Sequence, residues 1–145
     1  MLIKDFMTKA PVSCRPWQRL DEVAQLMSEN DCGEIPVCEG SRIVGVITDR
    51  DIACRAVAAG MIPVAIPAGD VMTKTVFTVE EDDTIDTALD LMQTNNIRRI
   101  PVVDARRELV GMVSVSDLAV RAPARVAAVL AGTSKNTKKS LVSVP

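Results

Sequence analysis

The sequence predicts an α+β fold: two β-α-β-β-α repeats packed with approximate twofold symmetry into one module. Three observations carry that expectation. The first half of the chain is echoed in the second, and each copy holds one helical apolar pattern followed by two short β-branched runs. The length of 145 residues suits one compact core or two fused half-domains better than two independent ones.

The echo begins with Asp5-Phe-Met7-Thr8-Lys9 and Asp70-Val-Met72-Thr73-Lys74, offset by 65 residues. At the same offset Asp21 matches Asp86, Leu26-Met27 matches Leu91-Met92, Asn30 matches Asn95 and Ile35-Pro36-Val37 matches Ile100-Pro101-Val102. One inserted residue then moves the offset to 66, which places Val44-Gly45 on Val110-Gly111, Asp51 on Asp117, Ala53 on Ala119 and Arg55-Ala56 on Arg121-Ala122. An ordered series of this kind marks an internal repeat.

The helix of each copy follows from apolar residues at 3.6-residue spacing: Leu20, Val23, Ala24 and Met27, then Ile85, Ala88, Leu89 and Met92. The hairpin that follows is Ile35–Cys38 and Arg42–Ile47, turned at Glu39-Gly40-Ser41. Its counterpart is Ile100–Val103 and Leu109–Val113, joined through Asp104-Ala-Arg-Arg. Thr48 and Ser114 then stand where a hydroxyl can cap the last helix. A half of about 60 residues cannot bury these faces alone, so the pair is the expected folding unit. The boundaries are residues 1–60 for the first motif, 61–69 for a linker rich in Pro and Gly, and 70–123 for the second. Residues 124–145 are expected to hold a helix remnant and a disordered tail, the tail being rich in Ser, Lys, Asn and Thr.

Gly45-Val-Ile-Thr48-Asp-Arg-Asp51 and Gly111-Met-Val-Ser114-Val-Ser-Asp117 share the pattern G-h-h-[ST]-x-x-D, in which h is apolar. Each follows an apolar-Pro-Val strand and an Asp-x-Met-Thr opening. On these motifs residues 1 to about 123 resemble a tandem pair of CBS motifs, a stand-alone Bateman module. The chemistry is readable from the residues themselves. Glycine permits close backbone approach, a hydroxyl beside helix-start amides suits phosphate oxygens, and a carboxylate one turn on can accept from ribose hydroxyls. The competing reading is that Thr48 and Ser114 merely cap helices while Asp51 and Asp117 complement the helix dipole.

The resemblance implies composite clefts, one copy giving hydroxyl and Asp and the other giving its first strand and the residues before its Pro-Val strand. A first ligand site would then hold Thr48, Asp51, Thr75, Val76, Phe77, Arg98 and Arg99. The two guanidiniums would neutralise phosphate, while the backbone at Thr75 and Val76 would read the base edge and Phe77 would pack on it. A second, weaker site would hold Ser114, Asp117, Thr8, Val12, Gly33 and Glu34, with the Glu34 carboxylate repelling phosphate. Were Arg98 and Arg99 a solvated pair, this asymmetry would vanish. Arg50, Arg55 and Arg121 are second-rank candidates, and the run Glu80–Asp83 reads as a solvated complement to a helix dipole.

Composition narrows the function. A net charge of −2 with scattered basic residues gives no field for nucleic acid. No apolar run reaches the roughly 18 to 20 residues that span a bilayer, and the start lacks a signal-peptide stretch, so the expectation is a cytoplasmic protein without membrane or nucleic-acid partners. Cys14, Cys32, Cys38 and Cys54 form no C-x-x-C pair and the chain has no histidine for a mixed zinc site, which points to buried reduced thiols, with a Cys-only metal site or redox pair as the alternative. Trp17 is expected to anchor packing.

With no histidine, tyrosine, nucleophile elbow or P-loop, catalysis has little to work with, and Asp51 and Asp117, in separate repeats, do not read as one paired-carboxylate site. The resemblance therefore implies a non-catalytic regulatory module, needing no cofactor. It would bind AMP, ADP, ATP or S-adenosylmethionine and signal to a partner protein by conformational or assembly change, as a homodimer. A ligand-free interaction scaffold and a cysteine-based redox sensor are the other two readings.

Overall fold

The computed structural model describes the backbone of residues 1–142 and the side chains of residues 1–132. In chain order its elements are β1 (Thr8–Lys9), α1 (Leu20–Asn30), β2 (Glu34–Glu39), β3 (Arg42–Thr48), α2 (Asp49–Asp51), β4 (Val79–Glu80), α3 (Ile85–Asn95), β5 (Arg99–Val103), β6 (Leu109–Ser114), α4 (Val115–Leu118) and α5 (Pro123–Val142). A π-helical stretch, Ile52–Val57, continues α2. The fold is α+β, with the helix and hairpin of each copy where the periodicity puts them. The tail expected to be disordered after Gly132 lies outside the residues whose side chains are described.

The chain divides into two compact units whose membership does not follow the order of the repeats. One unit is Val12–Val76; the other joins Met1–Pro11 to the chain from Phe77 onward. The opening segment of each repeat thus completes the body of the other.

In the discontinuous unit the sheet runs β1-β6-β5-β4. The hairpin β5-β6 is antiparallel, β4 lies parallel to β5, and β1 lies antiparallel to β6 with Thr8 opposite Met112. The contiguous unit repeats this plan more sparingly. Its antiparallel hairpin β2-β3 is flanked by single bridges, Cys14 parallel to Val37 and Thr73 antiparallel to Val46, and these residues sit at the repeat offset from Val79 and Thr8. Both hairpins carry a register irregularity at the same place, Val37/Cys38 and Val102/Val103.

The repeated glycines owe their identity to these crossings. A Cβ at Gly45 would stand 2.5 Å from Met72 Sδ and 3.0 Å from the Thr73 carbonyl oxygen; at Gly111 it would meet Met7 and Thr8 in the same way. The Met-Thr openings and the motif glycines are therefore two sides of one contact. The repeated asparagines also have a purpose. Asn30 donates to the Leu26 carbonyl and Asn95 to that of Leu91, just before left-handed residues, Asp31 and Asn96, end α1 and α3.

Each unit has its own core. Leu20, Val23, Ile35, Val37, Ile47, Ala56 and Val71 are buried together in the contiguous unit. Ile3, Leu89, Met92, Ile100, Val102, Val113 and Leu118 are buried in the other, where Val126 and Val129 of α5 join them. Burying each large aliphatic side chain contributes roughly 1.5–3 kcal/mol, and the stiff β-branched residues suit the strands they occupy.

Three expectations are corrected. Ala24 is exposed although its counterpart Leu89 is fully buried: α5 packs on α3, whereas α1 meets the short turn Pro63–Ala65. Trp17 is 68% exposed rather than a packing anchor. Its turn directs backbone inward instead, with the Pro16 and Gln18 carbonyls accepting from Gly69 and Ala68. Of the four cysteines Cys14 and Cys38 are buried, Cys32 is half-buried and Cys54 is exposed.

Candidate ligand site

Both G-h-h-[ST]-x-x-D motifs close as capping boxes. Thr48 Oγ1 accepts from the Asp51 amide at 3.0 Å, and Asp51 Oδ2 accepts from the Thr48 amide at 3.0 Å. Ser114 Oγ and Asp117 Oδ2 make the same exchange at 3.3 and 2.8 Å. Each box satisfies two amides that a helix start leaves without partners and fixes hydroxyl and carboxylate side by side. The capping role is thus present at both motifs. Asp51 has a second neighbour, Arg55 Nε at 3.6 Å from Oδ1.

In the discontinuous unit the strand pairing sets Arg99 opposite Ser114, and the Val115 amide donates to the Arg98 carbonyl at 3.0 Å. These residues, together with Ser116, Ala119, Val126 and Leu130, line a cavity of about 230 Å³. Its lining combines two arginines, two serines and four apolar residues. Asp117 stands behind Ser114 through the capping box, and Thr8 lies on β1 opposite Met112, two residues before Ser114. Phe77 belongs to this unit and is 38% exposed. Arg121, a second-rank candidate, lies 5.8 Å from the centre of the Phe6 ring, a cation–π contact.

The corresponding place in the contiguous unit has the opposite charge. Glu34 pairs with Thr48, and the Asp49 amide donates to the Gly33 carbonyl at 3.0 Å. The Asp49 carboxylate lies so close to Gly33 that a Cβ there would be 3.0 Å from Oδ2. Val12, Thr75 and Val76 belong to the same unit, Thr75 exposed and the two valines half-buried. Arg50 is exposed beside Asp49, and Arg55 donates to the Val71 carbonyl at 3.1 Å. Within the discontinuous unit, strand pairing thus sets Arg98 and Arg99 beside Ser114 and Val115.

Sequence reasoning did not single out Val115, Ser116, Ala119, Val126 or Leu130, which also line this cavity. Ser116 occupies an unspecified position of the motif, and α5 begins where the repeat ends. The spacing of Val126, Val129 and Leu130, apolar at i, i+3 and i+4, was the available signal.

Among the described residues no group of three or more His, Cys, Asp or Glu is placed to hold a metal ion, and no helix is long and apolar enough to cross a membrane. Burial pushes the Cys14 thiol up to about 11, helped by nearby Cys38, and burial raises Cys38 as well.

The CBS-domain profile matches residues 3–56 and 68–122. The chain belongs to the CBS-domain family. Among curated relatives, the CBS domain-containing protein YhcV of Bacillus subtilis is 38% identical over 118 residues, 81% of this chain and 83% of its own. Hypoxic response protein 1 of Mycobacterium tuberculosis is 33% identical over 121 residues, covering 83% and 84% of the two chains. A crystal structure of Hypoxic Response Protein I with two coordinated zinc ions superposes on this CBS pair with a TM-score of 0.77 at 31% identity, over 83% of this chain and 98% of that one. The CBS domain pair of MJ0100, in complex with 5'-methylthioadenosine and S-adenosyl-L-methionine, gives 0.73 at 30% identity over 83% and 98%.

Proposed function

We propose that this CBS pair is a non-catalytic regulatory module that binds an adenine nucleotide or adenosyl ligand, and that its phosphate-preferring site is the cavity of Arg98, Arg99, Ser114 and Ser116. The observation that carries this reading is the lining itself, which brings two arginines, two serines and apolar residues to one cavity. Asp117, held by its capping box, accepts from ribose hydroxyls. The matching place at Asp51 carries Glu34 and Asp49 and repels phosphate, so it suits a nucleoside-like ligand. The adenosyl compounds bound by the CBS pair of MJ0100 support the ligand class.

A non-enzymatic role is supported by the employment of both motif carboxylates in helix capping, each in its own unit, and by the lack of histidine and tyrosine. Signalling then passes through another protein or through self-association. The exposed apolar residues Val57, Met61, Ile62 and Val64 support a homodimer. Cysteines with no disulfide among the described residues suit a reducing, cytoplasmic compartment. Redox sensing is disfavoured at Cys14 and Cys38, because a raised thiol pKa leaves little reactive thiolate.

Calorimetric titration with AMP, ADP, ATP and S-adenosylmethionine tests the site. Arg99→Ala and Asp117→Ala are expected to weaken AMP binding about tenfold or more, a loss of at least about 1.4 kcal/mol, with Asp51→Ala near wild type. The opposite ranking would restore the arginines to Asp51, as expected from sequence. No heat with any of the four, in folded protein free of bound nucleotide, would leave the scaffold reading.

A further inference from the structure

Resting on the reading of the Asp51 motif as a nucleoside site, we infer that Arg55 couples a ligand hydroxyl at Asp51 to the hold on the opening segment of the second repeat. One guanidinium serves both ends of this link. Its Nε lies 3.6 Å from Asp51 Oδ1, while its Nη1 donates to the Val71 carbonyl at 3.1 Å and to that of Met72 at 3.4 Å. Asp51, Arg55, Val71 and Met72 all belong to the contiguous unit Val12–Val76. Asp51 Oδ2 is taken by the Thr48 amide, so Oδ1, the oxygen beside Arg55, is the one a ribose hydroxyl would use. At the other end Met72 packs against Gly45, and Thr73 exchanges two backbone hydrogen bonds with Val46 at 2.8 and 3.0 Å. Arg55 therefore grips the segment that crosses the motif strand β3.

In the second copy the grip is repeated and the link is not. Arg121, the counterpart of Arg55, lies 5.8 Å from the centre of the ring of Phe6, the counterpart of Val71. Among the described residues only the first copy joins this arginine to its motif carboxylate. The backbone differs at the same place. Arg55 lies in the π-helical stretch Ile52–Val57, a widened turn frequent at functional sites, whereas Arg121 follows α4 in a tight turn, its amide donating to the Leu118 carbonyl at 3.1 Å. The Arg55 side chain is half exposed, so the Asp51 carboxylate is what restricts its rotamers. A hydroxyl donating to Oδ1 competes for that oxygen, loosens the guanidinium and weakens the grip on Val71 and Met72. Linkage makes the effect reciprocal: removing the guanidinium tightens the ligand.

The test follows an adenosine titration by NMR on wild type and Arg55→Ala, each checked for a cooperative melt; Arg55→Gln replaces the alanine variant if that one does not fold. Shifts of the Thr48 and Asp51 amides report binding at this motif. Hydrogen exchange of the Thr73 amide reports the grip, with the Cys38 amide, bonded to the Cys14 carbonyl at 2.8 Å, as the reference for the hairpin. Saturating adenosine is expected to speed Thr73 exchange about fivefold in wild type while Cys38 exchange stays level or slows. Arg55→Ala is expected to exchange faster at Thr73 without ligand, to show no further response there, and to bind adenosine about fivefold tighter. Thr73 and Cys38 slowing together on binding, or weaker adenosine binding in Arg55→Ala, would overturn the coupling while leaving the nucleoside site standing. Adenosine that shifts neither Thr48 nor Asp51 would overturn the site reading and this inference with it.

Discussion

Gly45 and Gly111 are single-atom constraints: each is glycine because a methionine and a carbonyl oxygen occupy the space of a side chain. Gly45→Ala is therefore expected to destabilise by about 1–3 kcal/mol, as overpacking does, read as a lower urea midpoint with an unchanged slope. Ser114→Ala should cost about 1 kcal/mol by removing the capping oxygen, and Ser114→Thr should restore it. At Cys14 the sign is set by a neutral thiol in the folded protein. Below about pH 9 the thiol is neutral whether folded or unfolded; between about 9 and 11 only the unfolded chain ionises, so stability falls as pH rises through that window. The loss is about 2 to 3 kcal/mol, and Cys14→Ser should flatten that stretch of a urea-midpoint profile against pH. The capping roles of Thr48 and Ser114 were legible in the sequence, because a hydroxyl three residues before a carboxylate is a local signal. The exposure of Trp17 was not, since it depends on where two distant amides find their acceptors.

Among the elements, the helix and hairpin of each copy were legible from periodicity and turn residues, which act over a few neighbours. The segments flanking the hairpins were harder, because β1 and β4 are two residues long and their places are set by partners about 100 and 20 positions away in sequence. The residues Arg98, Arg99 and Ser114 are named by motif alone, whereas the pairing of Arg99 with Ser114 is set by strand register, which sequence spacing does not give. Helix α5 lay beyond the repeat and so beyond the comparison of one copy with the other. Its attachment to α3 is testable. Val129→Ala should cost about 1–3 kcal/mol through the cavity it opens, whereas Arg125→Ala, whose pairs with Asp86 and Asp90 are solvent-exposed, should cost about 0–1 kcal/mol and less at high salt. Urea melts at low and high ionic strength separate the two effects.

For the whole molecule, binding to the native state alone should appear as stabilisation. AMP at about a hundred times its wild-type dissociation constant should add about 2.7 kcal/mol, seen as a raised melting temperature in wild type and as about half that stabilisation or less in Asp117→Ala. The repeat, and with it the family, was legible across most of the chain. The exchange of opening segments was not, because sequence similarity aligns copies and says nothing about which copy a strand joins. That exchange bears on the order in which the protein takes shape on the ribosome. The contacts of Val12–Val76 lie within one unbroken stretch of chain, while Met1–Pro11 must wait for β6 nearly a hundred residues later. A segment that precedes the contiguous unit is thus secured after it, and until then Ile3 and Met7 lack the core they join.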